Sequence, residues 1–373
     1  MNRILRRTAA PLLCLALAAC ATVEPVPNAR LLTLANAERL GPTQVSIAGN
    51  EAGVGKSWYY TQVNGGGAGL AGAIGGAIAA AIINAAPSAR AHRQASEIAE
   101  LVTPEMLDKA VVAEVKAVPA APGAQAVTFS DVVLTRKGAK PVALDDLVEI
   151  ATTYTLSEDS SVLRVVAVAT YQNAAVPYKT PHTFKAKPPA SETTGPLYRN
   201  VFTYFSTPLP VPALSPELKA RLEASVRESA RDGSGAPPAA GSREYSSMTR
   251  EIELAQDDKF SAGESSVFLT REWLTDGSAR LTREIQNAHA FIAKYLLLDI
   301  NRTAVPSLTG ADELLETTAN DRTVRRIGEG VEAGAYVSSA ANVTTPATYG
   351  NAVAIGKATV EYVRGLKRTA KGD

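Results

Sequence analysis

The sequence predicts an α+β fold, in which a Gly/Ala-rich helical module is followed by antiparallel sheet units with amphipathic helices. Two kinds of signal predict the helices, namely apolar residues at helical spacing and capping residues at helix starts. Four segments rich in Val, Thr, Tyr and Phe predict the sheet: Ala126 to Thr135, Leu147 to Leu156, Val162 to Gln172 and Tyr198 to Ser206. An apolar content of 46% with only 6% aromatic residues indicates folded cores of small aliphatic side chains.

The first twenty residues have the features of a secretory signal. Residues 1–7 contain three arginines and no acid, and an apolar run from Ala9 to Ala16 follows. The run is shorter than the about 20 residues that a membrane-spanning helix needs. Leu17-Ala18-Ala19-Cys20 then resembles the lipobox of a bacterial lipoprotein precursor. This resemblance implies cleavage before Cys20, diacylation of its thiol and acylation of the new amine, with an ordinary secretory signal and an incidental cysteine as the alternative.

Ala21, and not an aspartate, follows the cysteine. By resemblance to lipoprotein sorting, this residue favours the outer membrane, with a lipid anchor and a body in the periplasm. Because Cys14 lies in the signal and Cys20 would carry lipid, the mature chain is expected to have no free thiol and no disulfide. Because the predicted anchor is a lipid, the first predicted partner of the protein is the membrane.

The charge balance gives no reason to propose nucleic acid as a partner. The signal contains three of the 38 basic residues, so that 35 remain against 37 acidic residues. Roughly 350 mature residues exceed one core, so two or three domains are expected. Composition divides the chain into five segments: a signal peptide (1–19), a tether with N-terminal strands (20–64), a Gly-rich helical module (65–117), an antiparallel β unit (124–210) and a mixed α/β region (211–373) with a Gly/Pro linker near 232–241.

Polar and apolar residues alternate from Thr43 to Ala48, as they do in a strand. The glycine-rich stretch that follows is similar to a phosphate-binding loop. Such a loop needs a glycine, four residues and then Gly-Lys-Ser, and Gly55-Lys56-Ser57 supplies the end of the pattern. Asn50 occupies the position of the first glycine, and strand-like Trp58 to Thr61 follows where a helix should start. We therefore predict a turn between two strands and no nucleotide site.

Residues 65–86 contain no charge and form two rows at four-residue spacing on opposite faces of a helix. The large row is Leu70, Ile74, Ile78 and Ile82, and the small row is Ala68, Gly72, Gly76 and Ala80. Small residues at this spacing permit close helix packing, as in membranes. Three interpretations stay open, namely a helix buried within its own chain, a helix that self-associates or inserts in a bilayer, and a flexible segment.

Further elements follow from local signals. Thr103-Pro104-Glu105 and Ser215-Pro216-Glu217 each combine an N-cap residue, an N1 proline and an acid, which predicts two helix starts. Ser157 to Ser160 predicts a hairpin turn. Apolar stripes predict helices from Tyr245 to Ala255 and from Leu281 to Leu296. Short strands are expected at 323–327, 333–337 and 352–363, before a small basic tail.

The part from Gly65 to Ser206 is similar to uncharacterised envelope lipoproteins that pair a Gly-rich helix with such a hairpin. The similarity includes a Leu-Tyr-Arg-Asn-type strand, here Leu197 to Asn200. This resemblance implies no particular activity.

The sequence contains no recognisable catalytic or metal-binding pattern. His92, His182 and His289 have no metal-ligand spacing, and we expect them on the surface, in a loop and in or beside a core, respectively. We therefore predict no catalytic residue, no metal and no cofactor. The predicted function is a non-enzymatic structural or assembly role, in which the Gly-rich helix contacts a second copy or an envelope protein. The alternatives are a periplasmic ligand- or glycan-binding lipoprotein and a hydrolase with dispersed carboxylates.

Overall fold

The computed structural model describes residues 29, 43–58, 87–118, 129–135, 146–173, 197–211, 215–256, 262–302, 310–318, 321–330, 332–340 and 351–353. Within these ranges the protein is α+β, which confirms the predicted fold class. The predicted lipidation site Cys20 and the small row Ala68, Gly72, Gly76 and Ala80 lie outside the described residues, as do His182 and the basic tail.

The strands of the described ranges join one mixed sheet. They are β1 (Thr43–Ala48), β2 (Val54–Trp58), β3 (Phe129–Thr135), β4 (Asp146–Leu156), β5 (Leu163–Asn173), β6 (Tyr198–Phe205), β7 (Glu313–Thr317), β8 (Arg322–Arg326), β9 (Tyr336–Ala340) and β10 (Asn351–Val353). The strand order is β10-β2-β4-β5-β6-β9-β8-β7, and β1 also pairs with β4 and carries β3 on its other edge. The sheet thus takes strands from three of the segments that composition distinguishes.

The centre of the sheet is antiparallel, as the predicted hairpin turn at Ser157 to Ser160 indicates. β4 pairs with β5 along its whole length, and β5 pairs with β6. The periphery differs, because β1 and β2 run parallel to β4, and β9 runs parallel to β6. β3, which the sequence groups with the antiparallel strands, pairs in parallel with β1. Alternation along a strand reports only which face is buried, so it carries no information on strand direction.

The helices are α1, helical over the described residues 87–101, α2 (Pro104–Ala117), α3 (Pro216–Ser229), α4 (Arg243–Ala255) and α5 (Ala262–Ile300). α2 and α3 begin where the capping residues predict. The hydroxyl of Thr103 accepts the Met106 N–H, and that of Ser215 accepts the Leu218 N–H. No helix within the described ranges is both long and apolar enough to cross a membrane.

α5 consists of two arms separated by a break. Asp276, Gly277 and Ser278 have left-handed backbone angles, with φ of 52°, 65° and 66°. The N-terminal arm covers 262–274 and the C-terminal arm covers 279–300. The apolar stripe predicts the C-terminal arm only, so the N-terminal arm is an element that the sequence interpretation missed.

One face of the sheet is buried beneath α2, which packs on β1 and β3, and α5, which packs on β5 and β6. In β6 the buried side chains alternate with half-buried ones, and the buried set is Tyr198, Asn200, Phe202 and Tyr204. β4 follows the same rule as far as Tyr154, with Val148, Ile150 and Tyr154 inside, whereas Thr155 and Leu156 are both buried at its end. Polar groups that share this face are removed from water, so each needs a partner from the helices or from a neighbouring turn.

Candidate functional site

The glycine-rich stretch is a loop between two strands, as the sequence predicts. β1 pairs with the first part of β4 and β2 with its last part, so the loop joins two segments on one edge of β4. The Asn50 side-chain oxygen accepts the N–H groups of Ala52 and Gly53 at 3.0 and 2.6 Å. The backbone N–H of Asn50 donates to the Asp108 carboxylate at 2.8 Å. Asn50, which breaks the phosphate-loop pattern, therefore fixes the shape of this loop and accepts hydrogen bonds from two of its backbone N–H groups.

Lys56 is fully buried in β2. Its Nζ lies 2.9 Å from the carbonyl oxygen of Ser57, 2.5 Å from that of Ser157 and 2.6 Å from that of Glu158. Three acceptors match the three N–H bonds of an ammonium group. Burial lowers the pKa of Lys56 to about 7, while the Asp159 and Glu158 carboxylates act in the opposite direction. Lys56 thus joins β2 to the turn between β4 and β5.

Asp159 organises that turn from within. Its carboxylate accepts the Ser157 hydroxyl at 2.6 Å, the Ser161 N–H at 2.9 Å and the Ser161 hydroxyl at 2.8 Å. Burial raises the pKa of Asp159, but these hydrogen bonds and the Lys56 charge outweigh it and hold the pKa below its usual value. Burial raises the pKa of Glu158, and the Lys56 charge opposes this effect. The turn therefore has its own negative charge beside the buried lysine.

The N-terminal arm of α5 holds the other side of the turn. Ser160 is fully buried with a left-handed φ of 64°. Its hydroxyl lies 2.8 Å from the Thr270 hydroxyl, and its carbonyl oxygen accepts the Trp273 indole N–H at 2.7 Å. We call Lys56, Asp159, Ser160, Thr270 and Trp273 the turn cluster. No sequence signal pointed to the turn cluster, because Lys56 is a single lysine in a strand pattern and the N-terminal arm of α5 has no recognised apolar stripe.

A cleft between α1, α3, α4 and the N-terminal arm of α5 borders the turn cluster. This helical cleft is lined by Arg90, Arg93, Gln94, Glu97, Leu222, Ser225, Val226, Glu251, Gly263, Glu264, Val267 and Arg271. Gln94, which is 4% exposed, donates to the Ser266 hydroxyl at 3.2 Å. The Ser266 hydroxyl lies 3.4 Å from the Ser160 hydroxyl. A chain of polar contacts therefore connects the cleft to the turn cluster.

His289 is fully buried, which confirms its expected place in a core. Its Nε2 lies 2.7 Å from the Tyr154 hydroxyl, which also lies 2.9 Å from the Thr152 hydroxyl. Burial lowers the pKa of His289 to about 3 and raises the pKa of Tyr154. Both rings are therefore neutral at pH 7, and they link β4 to the C-terminal arm of α5. His92 is exposed, as expected.

Asp299 is a buried carboxylate near the end of α5. It accepts the hydroxyls of Tyr198 and Tyr336, each at 2.7 Å, and the Asn200 side-chain N–H at 2.8 Å, while the Arg302 guanidinium lies at 3.1 Å. Burial raises the pKa of both tyrosines, and the Asp299 charge adds to the effect. Tyr198 and Asn200 belong to the predicted Leu-Tyr-Arg-Asn-type strand, but their common partner is about a hundred positions away.

The arrangement provides charge and hydrogen-bonding groups at a cleft and at two buried clusters. Within the described residues, no three His, Cys, Asp or Glu side chains are grouped so that they could hold a metal ion. No protein-family model, curated protein or solved structure matches the chain. The functional interpretation therefore depends on the residues themselves.

Proposed function

We propose that this chain is an outer-membrane lipoprotein, acylated on Cys20, with its body in the periplasm and a structural or assembly role that involves no catalysis. The observation that carries the proposal is Leu17-Ala18-Ala19-Cys20, directly after a basic start and an apolar run. The folded body supports a role without catalysis, because the buried ionisable groups Lys56, His289 and Asp299 each form hydrogen bonds that join two elements of the fold.

The assembly contact is proposed to form through the small row Ala68, Gly72, Gly76 and Ala80. Rows of small residues let two helix backbones approach closely, and glycine in a helix is disfavoured by about 1 kcal/mol relative to alanine unless packing compensates. In the chain, this segment lies between β2, which carries Lys56, and α1, which lines the helical cleft.

Lipid labelling in the native host tests the anchor. Radiolabelled palmitate is expected on the wild-type chain and absent from Cys20→Ser, which should also leave the membrane fraction. Cys14→Ser is the matched control and should keep the label. Label that persists on Cys20→Ser would refute the anchor.

Light scattering of the mature Cys20→Ser chain tests the assembly contact. Gly72→Leu with Gly76→Leu should convert a defined oligomer into a monomer, because leucine separates the two backbones. Ile74→Leu with Ile78→Leu changes the opposite row at constant volume and should leave the oligomer intact. An unchanged oligomeric state and stability in the glycine variants would overturn the assembly role.

A second candidate function is the binding of a small molecule or a glycan in the periplasm. The observation that favours it is the helical cleft, in which polar side chains surround aliphatic ones, as in many ligand sites. A melting-temperature screen with metabolites and muropeptides tests this function. A ligand-dependent rise is expected, and a flat panel counts against it.

A further inference from the structure

We propose that α3 and α4 form a detachable unit of the fold, which separates from α1 and from the N-terminal arm of α5 while the sheet and the other helices stay folded. This unit, residues 215–256, is called the helical hairpin below, and the rest of the described fold is called the body. The separation goes beyond both candidate functions, because it needs neither a ligand nor a partner.

The helical hairpin has internal contacts of its own. α3 and α4 pack against each other, and the Lys219 ammonium donates to the carbonyl oxygen of Gln256 at 3.0 Å. Two ion pairs also join residues of the hairpin to each other: Arg227 with Glu223 at 2.7 Å, and Arg231 with Glu228 at 2.9 Å. These contacts do not involve the body, so they persist when the hairpin separates.

The interface between the helical hairpin and the body is incompletely packed. The helical cleft is a cavity of about 80 Å³ at this interface, and a second cavity of about 60 Å³ lies between α3 and the N-terminal arm of α5. Both cavities are lined by Leu222, Ser225, Val267 and Arg271. Atoms that line a cavity lack neighbours on one side and lose the dispersion contacts of a filled interface. The cavities therefore weaken the contact that breaks on separation.

Apolar side chains at the interface keep part of their surface in water. Val226 of α3 is half-buried, and so are Val267 and Phe268 of α5. On the same arm of α5, Leu269 and Trp273 are fully buried in the main hydrophobic core. Because hydrophobic stabilisation grows with the apolar area removed from water, this arm gains more from the core than from the hairpin.

The parts of the body at the interface are held by other contacts. Trp273 donates to the turn cluster at Ser160, and Gln94 of α1 donates to Ser266 of α5. Ile98 of α1 belongs to the main hydrophobic core. α1 and the N-terminal arm of α5 therefore keep their positions without the hairpin.

The connection from β6 to α3 provides a pivot. Leu209 is buried, and its N–H donates to the carbonyl oxygen of Ser161 at 2.8 Å, which holds the chain at this point. Pro210 and Val211, directly after it, are exposed. Movement of the hairpin therefore begins after Leu209. Units with few buried apolar contacts open at a lower free energy than the whole fold.

Separation has a defined effect on the helical cleft. It breaks the hydrogen bond from the Arg271 guanidinium to the Ser225 hydroxyl, which crosses the interface. It also opens the cleft from the side of α3 and α4, and the lining of the cleft includes Gln94, the first residue of the polar chain to the turn cluster. The hairpin is thus a cover over this chain.

Thiol labelling tests the separation. The mature Cys20→Ser chain contains no cysteine, so one introduced thiol reports on one position. Leu222→Cys reports on the interface, and Leu296→Cys makes the same exchange at a fully buried position of the C-terminal arm. With an aromatic disulfide reagent, Leu222→Cys should react at least a hundredfold faster than Leu296→Cys and with a weaker dependence on urea, since less surface is exposed. Equal rates with equal urea dependence would overturn the proposal.

Variants at the cavities connect the labelling to the interface. In the Leu222→Cys chain, Val267→Leu adds a methylene group to the wall of both cavities and should slow labelling at least threefold. Arg271→Met removes the hydrogen bond to Ser225 and should accelerate labelling at least threefold. Val211→Leu and Arg280→Met, at exposed positions, are the matched controls and should leave the rate unchanged. Unchanged rates in the first two variants would show that the reagent reaches the thiol without separation, which would also overturn the proposal.

Hydrogen exchange of the mature Cys20→Ser chain is a test that needs no introduced thiol. Helices of 14 and 13 residues, as α3 and α4 are, have marginal stability by themselves. Their amides should therefore exchange at least tenfold faster than those of the C-terminal arm of α5, at urea concentrations that leave the fold intact. Equal protection of the hairpin and this arm would refute a separate opening.

Discussion

The ammonium nitrogen of Lys56 lies 2.5 Å from the carbonyl oxygen of Ser157, a residue 101 positions further along the chain. Through this contact, a lysine of β2 closes the turn between β4 and β5. The same turn is held from the other side by Trp273 of α5, whose indole N–H donates to Ser160. The turn is thus a junction of the sheet and the helical layer, next to the helical cleft.

Replacement of the lysine should weaken this junction. Lys56→Met keeps most of the side-chain volume but leaves buried carbonyl oxygens without a donor, at a cost of about 1–3 kcal/mol each. Urea denaturation at pH 7 should therefore show a lower free energy of unfolding. Lys109→Met, at an exposed position of α2, is the matched control and should have little effect. Equal stability of the wild type and Lys56→Met would contradict the role assigned to the ammonium.

The lowered pKa of Lys56 predicts that the free energy of unfolding rises with pH. The folded chain releases the Lys56 proton near pH 7, whereas an unfolded lysine keeps it up to pH 10.5. Between these values the unfolded state binds more protons, so the free energy of unfolding increases with pH. The advantage of the wild type over Lys56→Met should therefore grow from pH 7 to 9.5. A constant difference over this interval would show that the pKa is not lowered.

His289 should produce a dependence at acid pH. Its pKa is lowered from 6.5 to about 3 in the folded state, so only the unfolded state takes up the proton between these values. The free energy of unfolding of the wild type should therefore fall as the pH drops below 6.5. His289→Leu removes this loss, so its deficit at pH 7.5 should shrink at pH 4.5. His92→Leu, at an exposed position, is the control, and a parallel pH profile in His289→Leu would argue against the lowered pKa.

The Asp299 cluster should be sensitive to loss of charge. Asp299→Asn places an N–H₂ group among donors from Tyr198, Asn200 and Tyr336 and removes the ion pair with Arg302. Breaking a buried charged network in this way is destabilising by about 3–5 kcal/mol. Tyr336→Phe removes one donor and should have a smaller effect. Calorimetric melting should rank the two variants in this order, with Glu253→Gln unchanged because that side chain is exposed.

Asn50 allows a direct test of the phosphate-loop interpretation. Asn50→Gly completes the pattern of Gly, four residues and Gly-Lys-Ser, but it removes the side chain that occupies the amides of Ala52 and Gly53. The variant should be less stable by about 1 kcal/mol and should not bind ATP, because Lys56 stays buried. Asn50→Asp keeps the acceptor and should keep more of the stability. Nucleotide binding by Asn50→Gly would contradict the turn interpretation.

Local signals predicted the elements whose causes are local. Thr103 and Ser215 cap their helices through contacts three residues away, so both helix starts were confirmed. The hairpin turn after Leu156 was also confirmed, because its signal lies in the turn residues Ser157 to Ser160 themselves. The burial of His289 was confirmed because an apolar stripe reports which face of a helix is buried. The strand expected at 333–337 lies instead at Tyr336–Ala340, since its limits depend on pairing with β6 and β8. The lipid anchor and the small row stay predictions.

By itself, the sequence determined the fold class, the central antiparallel strands, the capped helix starts and the turn in place of a phosphate loop. Each depends on residues that are close in the chain or on a repeating pattern along one element. The tertiary structure alone decided that β1 and β2 each pair in parallel with β4, that Lys56 is buried and that the Asp299 carboxylate has four polar partners. It also decided the arginine-lined cleft. These features join residues that are distant in the chain, 101 positions for Lys56 and Ser157 and 172 for Gln94 and Ser266, and a lysine or an aspartate in such a place differs from a solvated one only through its neighbours in space.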